Sequence, residues 1–289
     1  GHLGVVQGQI TVFLAMILGS VQGLTEFLPV SSSGHLVLVE HFLDLKPDTP
    51  QMLIFDLITH VGTVVAILVV FRGSIVAFMK NLLVSSKYGK TPLQIYKKSP
   101  SIHFLVLAVI STIITFVIYE LFEENFTSAR GNLGLVAVMW TITATVLLIT
   151  DYRRKTRISL RKMGVLAAVI IGIAQAAAIM PGISRSGATI CCAILLGLHR
   201  RWAIEYSFML AMPAILGGAI ITIFKNWNLL AGTGVTGGVL FAGALSACVI
   251  GIVALKLLIG ASKSKNFKFF AIYCYLLAAG VGLYLVMSG

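Results

Sequence analysis

Apolar residues run almost unbroken for about twenty positions at a time, with neither the one-sided stripe of a surface helix nor the alternation of a half-buried strand. Such runs lie at 53–71, 102–122, 132–150, 163–180, 205–224, 235–259 and 267–287. Each is close to the roughly 20 residues a helix needs to cross about 30 Å of hydrocarbon. Alternating segments of about ten residues, the mark of an outer-membrane barrel, are not the pattern here. Two further stretches, 10–43 and 181–198, are apolar but interrupted by Pro, Gly and Ser. Broken backbone at membrane depth is tolerated only where the freed polar groups line a protein cavity. The pattern therefore predicts an all-α polytopic membrane protein of about ten helical segments, with 10–43 and 181–198 as broken-helix regions.

Composition agrees. Hydrophobic residues make up 58% of the chain and charged ones 11%, against roughly 45–50% and about 25% in soluble domains. Mean hydropathy is +0.97, so a water-soluble core cannot hide this much apolar surface. Cys191, Cys192, Cys248 and Cys274 all sit inside apolar stretches, where they behave as small hydrophobes and not as a disulfide framework. The net charge of +12 would suggest nucleic acid in a soluble protein. Here the basic residues cluster between apolar runs, which makes them topology signals and partners for anionic membrane lipids; no nucleic-acid partner is expected. Loop 72–101 carries Arg72, Lys80, Lys87, Lys90, Lys97 and Lys98 without an acid, and loop 151–162 carries Arg153, Arg154, Lys155, Arg157, Arg161 and Lys162. These loops, with 199–201 and 256–268, are expected on the cytoplasmic side, leaving 44–52, 120–131, 225–234 and both termini outside. The first apolar run leads straight into polar motif residues, which is unlike a cleavable signal peptide.

The chain also resembles itself at an offset of 153 residues. Gly19 matches Gly172, Gln22 matches Gln175, Ser31 matches Ser184, Ser33 matches Ser186 and Gly34 matches Gly187. On the charge reading the two copies face opposite ways, so the expected organisation is one integral membrane domain, 1–289, built of inverted repeats at about 10–150 and 163–289. Chance matching in low-complexity apolar sequence is the competing explanation.

Candidate chemistry falls in the two interrupted stretches. Gln22 and Glu26 are four apart and share a helix face; Pro29 should end that helix, and Ser31, Ser32 or Ser33 could cap the next, with His35 one turn on. A helix break explains the serines but not a carboxylate and an imidazole in an apolar region, where ionisable groups are costly and pair or serve function. Residues 181–189 read Pro-Gly-Ile-Ser-Arg-Ser-Gly-Ala-Thr. Turn amides around Gly182 and Gly187 before a helix N-terminus form an anion cradle, Arg185 adds a planar fork, and Ser184, Ser186 and Thr189 add hydroxyls. Small-residue helix packing with a snorkelling Arg185 is the bland alternative. Asp56 and His60 share a face of the run 53–71 and are candidates to line the same cavity, whereas Arg201 and Glu205 suit a structural ion pair.

At these two stretches the chain resembles the undecaprenyl-diphosphate phosphatase family, the bacitracin-resistance type of membrane phosphatase. The family's first motif appears as Gln22-Gly-Leu-Thr-Glu26-Phe-Leu-Pro-Val-Ser-Ser-Ser-Gly-His35, and the second appears whole from Pro181 to Thr189. Gln22 stands where some members have Glu, leaving one fewer metal-binding charge, and Ser33 where some have Thr. The resemblance implies hydrolysis of a polyprenyl diphosphate to the monophosphate, recycling the carrier for cell-wall synthesis. It also implies a site reached from the extracytoplasmic side of the plasma membrane, a divalent cation, Mg²⁺ or Ca²⁺, and two re-entrant helix pairs, at 10–43 and 181–198, meeting within the membrane. Glu26 and Gln22 are the expected metal ligands. Arg185, Ser184, Ser186 and Thr189 would grip the terminal phosphoryl group, with Ser31, Ser33, Gly182 and Gly187 completing the binding surface. Ser32 is the preferred nucleophile with His35 as its base; Ser33, or a water activated by His35, are the alternatives. A secondary transporter or flippase of a phosphorylated lipid would share the inverted, broken helices. Gly-rich segments such as 231–251 suit packing against a second copy in a homodimer, or equally against neighbouring helices.

Overall fold

The structure, a computed structural model, describes residues 10–43, 49–89, 91–129, 131–152, 156, 158–230, 234–263 and 266–288. The basic residues Lys90, Arg153, Arg154, Lys155, Arg157 and Lys265, and the segments 44–48 and 231–233, lie outside them. Twelve α-helices and no strand are found among the described residues. They are α1 Val12–Phe27, α2 Ser32–Phe42, α3 Pro50–Val70, α4 Arg72–Leu83, α5 Pro92–Lys98, α6 Pro100–Ser128, α7 Leu133–Asp151, α8 Val165–Ala177, α9 Arg185–Leu195, α10 Arg200–Leu230, α11 Gly237–Lys263 and α12 Phe267–Ser288.

Six of these, α3, α6, α7, α10, α11 and α12, are long and apolar enough to cross a membrane. The chain is a multi-pass membrane protein. Its long helices present large apolar side chains outward, among them Phe241, Val253, Leu257, Leu276 and Leu283, each at least half exposed; lipid is the medium that accepts such a surface.

The run 163–180, expected to span, does not form a helix long enough to do so. Its helix α8 has only 13 residues, about 20 Å at 1.5 Å per residue. The apolar run carries on to Met180, but Pro181 and Gly182 turn the chain first, and Gly182 has φ +97, a left-handed conformation that favours glycine. Likewise 10–43 divides into α1 and α2 around Pro29. The segment 72–101, read as a basic loop, contains α4 and α5; α4 buries none of its residues and exposes Val76, Met79 and Leu83.

Small residues allow the close crossings that hold the short helices. α1 lies on α11, which also packs on α3, while α8 lies on α6, and α12 on α7. A Cβ on Gly19 would come within 2.3 Å of the Gly243 carbonyl oxygen, and one on Gly23 within 2.3 Å of that of Ala247. On the other side a Cβ on Gly172 would sit 2.7 Å from the Ser111 carbonyl oxygen. Without water to drive helices together, backbone-to-backbone packing of this kind carries much of the association. A buried network of Ser111, Tyr206, Thr115 and Gln175 then ties α6, α8 and α10 together. The breaks after α1 and α8 are brought face to face at the centre, with α7 beside them.

Candidate active site

Each break is built by its own sequence. Thr11 caps α1, which ends as Leu28 turns into extended backbone ahead of Pro29. Ser31 caps α2, its Oγ accepting from the Gly34 amide at 3.2 Å. Its φ of 70 makes it the sole non-glycine left-handed residue among those described, a conformation costing roughly 1–3 kcal/mol and kept where surrounding contacts enforce it. Those contacts are present: the Gly182 amide donates to Ser31 Oγ at 3.2 Å, and Trp140 Nε1 donates to the Val30 carbonyl at 2.9 Å. A Cβ on Gly34 would strike the Trp140 ring and approach Gly182 Cα.

The second break is held by Thr143 of α7. Its hydroxyl donates to the Gly182 carbonyl at 3.0 Å and accepts from the Ser184 amide at 3.2 Å. Ser184 caps α9 by accepting from the Gly187 amide at 3.0 Å and lies 3.2 Å from Ser186 Oγ. Ser186 reaches the Leu28 carbonyl of the first break at 3.2 Å. Thr189 bonds the Arg185 carbonyl and pairs with Ser207. Ser184, Ser186 and Thr189 thus shape the turn through contacts within the protein, while the guanidinium of Arg185 leaves it for the opposite wall.

That wall is Glu26. It is buried, 6% exposed, and Arg185 Nη2 donates to its Oε1. Ser32 Oγ donates to Oε2 at 2.7 Å, and Gln22 Nε2 to the same oxygen at 3.0 Å. His60 Nε2 stands 3.9 Å from Oε2, its Nδ1 donating to the Asp56 carbonyl at 2.7 Å. The structure therefore brings Gln22, Glu26, Ser32, Arg185 and His60 together in one polar chamber between the breaks, with Ser31 beside Ser32 and bonded to Ser33 and to the Gly182 amide. Arg185 Nη1 and Gln22 Oε1 are buried without a hydrogen-bond partner. Unmet polar atoms of this kind are costly unless a ligand completes them.

His35 is placed otherwise than the spacing suggested. Its Nδ1 faces the Ser31 carbonyl at 2.7 Å, so that nitrogen bears the proton, and its Nε2 accepts from the Tyr273 hydroxyl at 2.8 Å. The ring stacks on Tyr273 and meets Trp140 edge-on. Both ring nitrogens are engaged, and the Ser32 hydroxyl is paired with Glu26 instead. Nothing in the sequence singles out Tyr273, Trp140 or Thr143: all stand in apolar runs, Tyr273 near Tyr275 and Thr143 between Thr141 and Thr145, and the aromatic ones suit interface anchors equally well. Asp56 contributes its backbone carbonyl to His60, and Arg201 pairs with Glu205 at 3.2 Å as expected. Behind α9, an apolar cleft of about 430 Å³ between α7 and α8 shares Thr143 and Gly187 with the cradle.

A carboxylate, a hydroxyl and a guanidinium gathered at two facing helix breaks suit anionic phosphoryl chemistry within a membrane, and the chain matches known proteins along nearly its whole length. The family described as "Bacitracin resistance protein BacA" matches over residues 15–280. The chain belongs to that family. Among curated relatives named undecaprenyl-diphosphatase, that of Halorhodospira halophila is 36% identical over 276 residues, covering 93% of this chain and 96% of the relative. That of Methanosphaera stadtmanae is 38% identical over 265 residues, covering 90% and 93%. That of Carboxydothermus hydrogenoformans is 35% identical, covering 93% and 95%.

The divalent ion that the resemblance implies finds an incomplete set of ligands. No group of three or more His, Cys, Asp or Glu side chains suited to a metal occurs among the described residues. Glu26 has its charge matched by Arg185, and both its oxygens already accept hydrogen bonds. These residues do not by themselves make a resident site for Mg²⁺ or Ca²⁺, which take about six to eight oxygens.

Proposed function

We infer that this chain is an undecaprenyl-diphosphatase, a membrane-embedded hydrolase that removes the terminal phosphate of the lipid diphosphate and returns the monophosphate carrier to cell-wall synthesis. The observation that carries this reading is the convergence of Ser32 and Arg185 on the two oxygens of Glu26, within a chain homologous along nearly its whole length to enzymes of that name.

Ser32 is half-buried, and its hydrogen is held on Glu26 Oε2, which leaves the Oγ lone pairs free to attack. In the first step Oγ bonds the terminal phosphorus, the bridging P–O bond breaks, and the hydroxyl proton passes to Glu26. Protonation removes the charge that holds Arg185, whose second, unpartnered nitrogen is already a free donor. The guanidinium then serves the phosphoryl oxygens, where negative charge spreads in the transition state. In the second step water displaces Ser32, which recovers its proton from Glu26. His35, anchored between Ser31 and Tyr273, positions the strained turn that presents Ser32. The prenyl chain stays in the apolar surroundings, and the cleft behind α9 offers one such path.

We also place the chamber on the extracytoplasmic side of the plasma membrane, as the family resemblance implies; the basic residues clustered in the sequence between apolar runs support a cytoplasmic place for those loops. The two halves are read as inverted repeats. What supports this is the pairing of close contacts: Gly19 of α1 on α11 and Gly172 of α8 on α6, 153 residues apart.

The reading is tested with protein purified in detergent, where hydrolysis proceeds but vectorial transport has no meaning. Native protein releases phosphate from undecaprenyl diphosphate, and Ser32→Ala lowers turnover by about 10³-fold or more. Near-native turnover by Ser32→Ala removes that residue as nucleophile, and no release by native protein removes the enzyme reading.

A further inference from the structure

The basic segment between α3 and α6 carries a surface that the chemistry at Glu26 does not use. α3 ends at Val70, and α4 starts at Arg72 after a single residue, Phe71. Farther along, α4 rests against the start of α6. The Ser101 hydroxyl donates to the Phe78 carbonyl at 3.1 Å, and the Phe78 ring meets Phe104 edge-on with centroids 5.6 Å apart. One span ends where α4 begins and the next starts where α4 packs, which places α4 along the edge of the hydrocarbon. Ile75 and Phe78 pack on the protein core. Val76, Met79 and Leu83, spaced i, i+3 and i+7, face away from it and are 52%, 47% and 78% exposed. An outward apolar stripe of this spacing suits the acyl region just beneath lipid headgroups.

Charge selects the lipid. Arg72 and Lys80 lie four residues to either side of Val76, on the face that carries the stripe. Lys87, Lys97 and Lys98 follow and are exposed, and no acidic residue occurs from 72 to 101. None of these five basic side chains makes an ion pair among the described residues. Their stems can lie along the apolar face while the charged ends reach phosphate oxygens. A neutral leaflet would accept the stripe and leave five positive charges to salt alone, whereas acidic headgroups match both features. We propose that α4 and the basic segment after it form a docking surface for acidic phospholipid. Val76, Met79 and Leu83 enter the acyl region, and Arg72, Lys80, Lys87, Lys97 and Lys98 hold the phosphodiester headgroups.

The test uses full-length protein carrying Met79→Cys, labelled with bimane and reconstituted in mixed phosphatidylcholine–phosphatidylglycerol vesicles. The same chain without Met79→Cys gives the background from the native cysteines. Quenching is compared for phosphatidylcholine with a nitroxide on its acyl chain, for matched amounts of phosphatidylglycerol labelled likewise, and for aqueous iodide. Both lipids should quench the probe and iodide should not, with the acidic lipid enriched beside it about fivefold or more over its share of the bilayer. Replacing the five basic residues with Gln should bring the enrichment to near parity while the probe stays in lipid. Quenching by iodide without quenching by lipid puts the stripe in water and overturns the proposal. So does quenching by none of the three, which means that another protein surface covers the stripe. Equal quenching by the two lipids, with the basic residues intact, overturns the recognition of acidic headgroups, and that arm needs no charge-neutralised variant to fold. Undiminished enrichment in the Gln variant removes these residues as the headgroup site. Phosphate release has no part in these readouts, so they stand apart from the phosphatase reading.

Discussion

Replacing Arg185 with alanine should abolish hydrolysis while leaving the helices assembled. Its side chain is 18% exposed and makes one contact across the chamber, to Glu26, whereas the packing of α9 rests on Ser186, Gly187, Ile190, Cys191 and Ile194. The loss comes in two parts. The phosphoryl oxygens lose the planar donor that stabilises them in the transition state, worth roughly 10²–10³ in turnover or more. Glu26 is also left as a buried carboxylate with only His60, 3.9 Å away, beside it in place of the guanidinium, which raises its cost and disturbs its hold on Ser32. Phosphate release should fall by at least about 10³-fold, with retention of a non-hydrolysable diphosphonate lost as well. Arg185→Lys keeps the charge but not the fork and should recover only part of the rate. Size-exclusion chromatography and thermal unfolding distinguish this outcome from misfolding. Turnover within tenfold of native protein would remove the guanidinium from the mechanism.

The second large effect has a different signature. Glu26→Gln preserves volume and can still accept from the Ser32 hydroxyl, but it cannot take its proton and no longer holds Arg185 by charge. Turnover should drop roughly 10²–10⁴-fold, the range for losing a positioned proton acceptor. Diphosphonate retention should be unchanged or tighter, because the guanidinium is released to the ligand in advance. A parallel loss of binding and turnover, as in Arg185→Ala, would mean that Glu26 serves binding and not proton transfer.

How much of this could be read from the chain differs by element. The spans at α3, α7, α11 and α12 follow from unbroken hydropathy, since only a helix can carry twenty apolar residues through lipid. The two breaks were legible because Pro29, Pro181 and Gly182 stop helices for local reasons, and because ionisable residues beside them have no cheap explanation. The pairing of Glu26 with Arg185 was expected on chemical grounds, though nothing in the spacing sets a contact between residues 159 apart. The misreadings have the same root. α8 looks like a span because hydropathy counts apolar residues and not where the backbone turns. His35 looks like the partner of Ser32 because it lies one turn away, yet Tyr273, 238 residues on, and the Ser31 carbonyl claim its two nitrogens. His60, the imidazole that does face Glu26, had no signal beyond sharing a face with Asp56. Gln22 was visible as a missing charge, but its role as a donor to Glu26 needed coordinates.

If the Ser32 hydroxyl, held on Glu26 and opposed by Arg185, is the attacking group, it must carry the phosphoryl group during turnover. Rapid acid quench of native protein turning over undecaprenyl diphosphate labelled in its terminal phosphate, followed by peptide mapping, tests it directly. Label is expected on the segment containing Ser32, rising and decaying with turnover and missing from Ser32→Ala. Label-free protein throughout the first turnover, with Ser32→Ala releasing phosphate at the native rate, would contradict it.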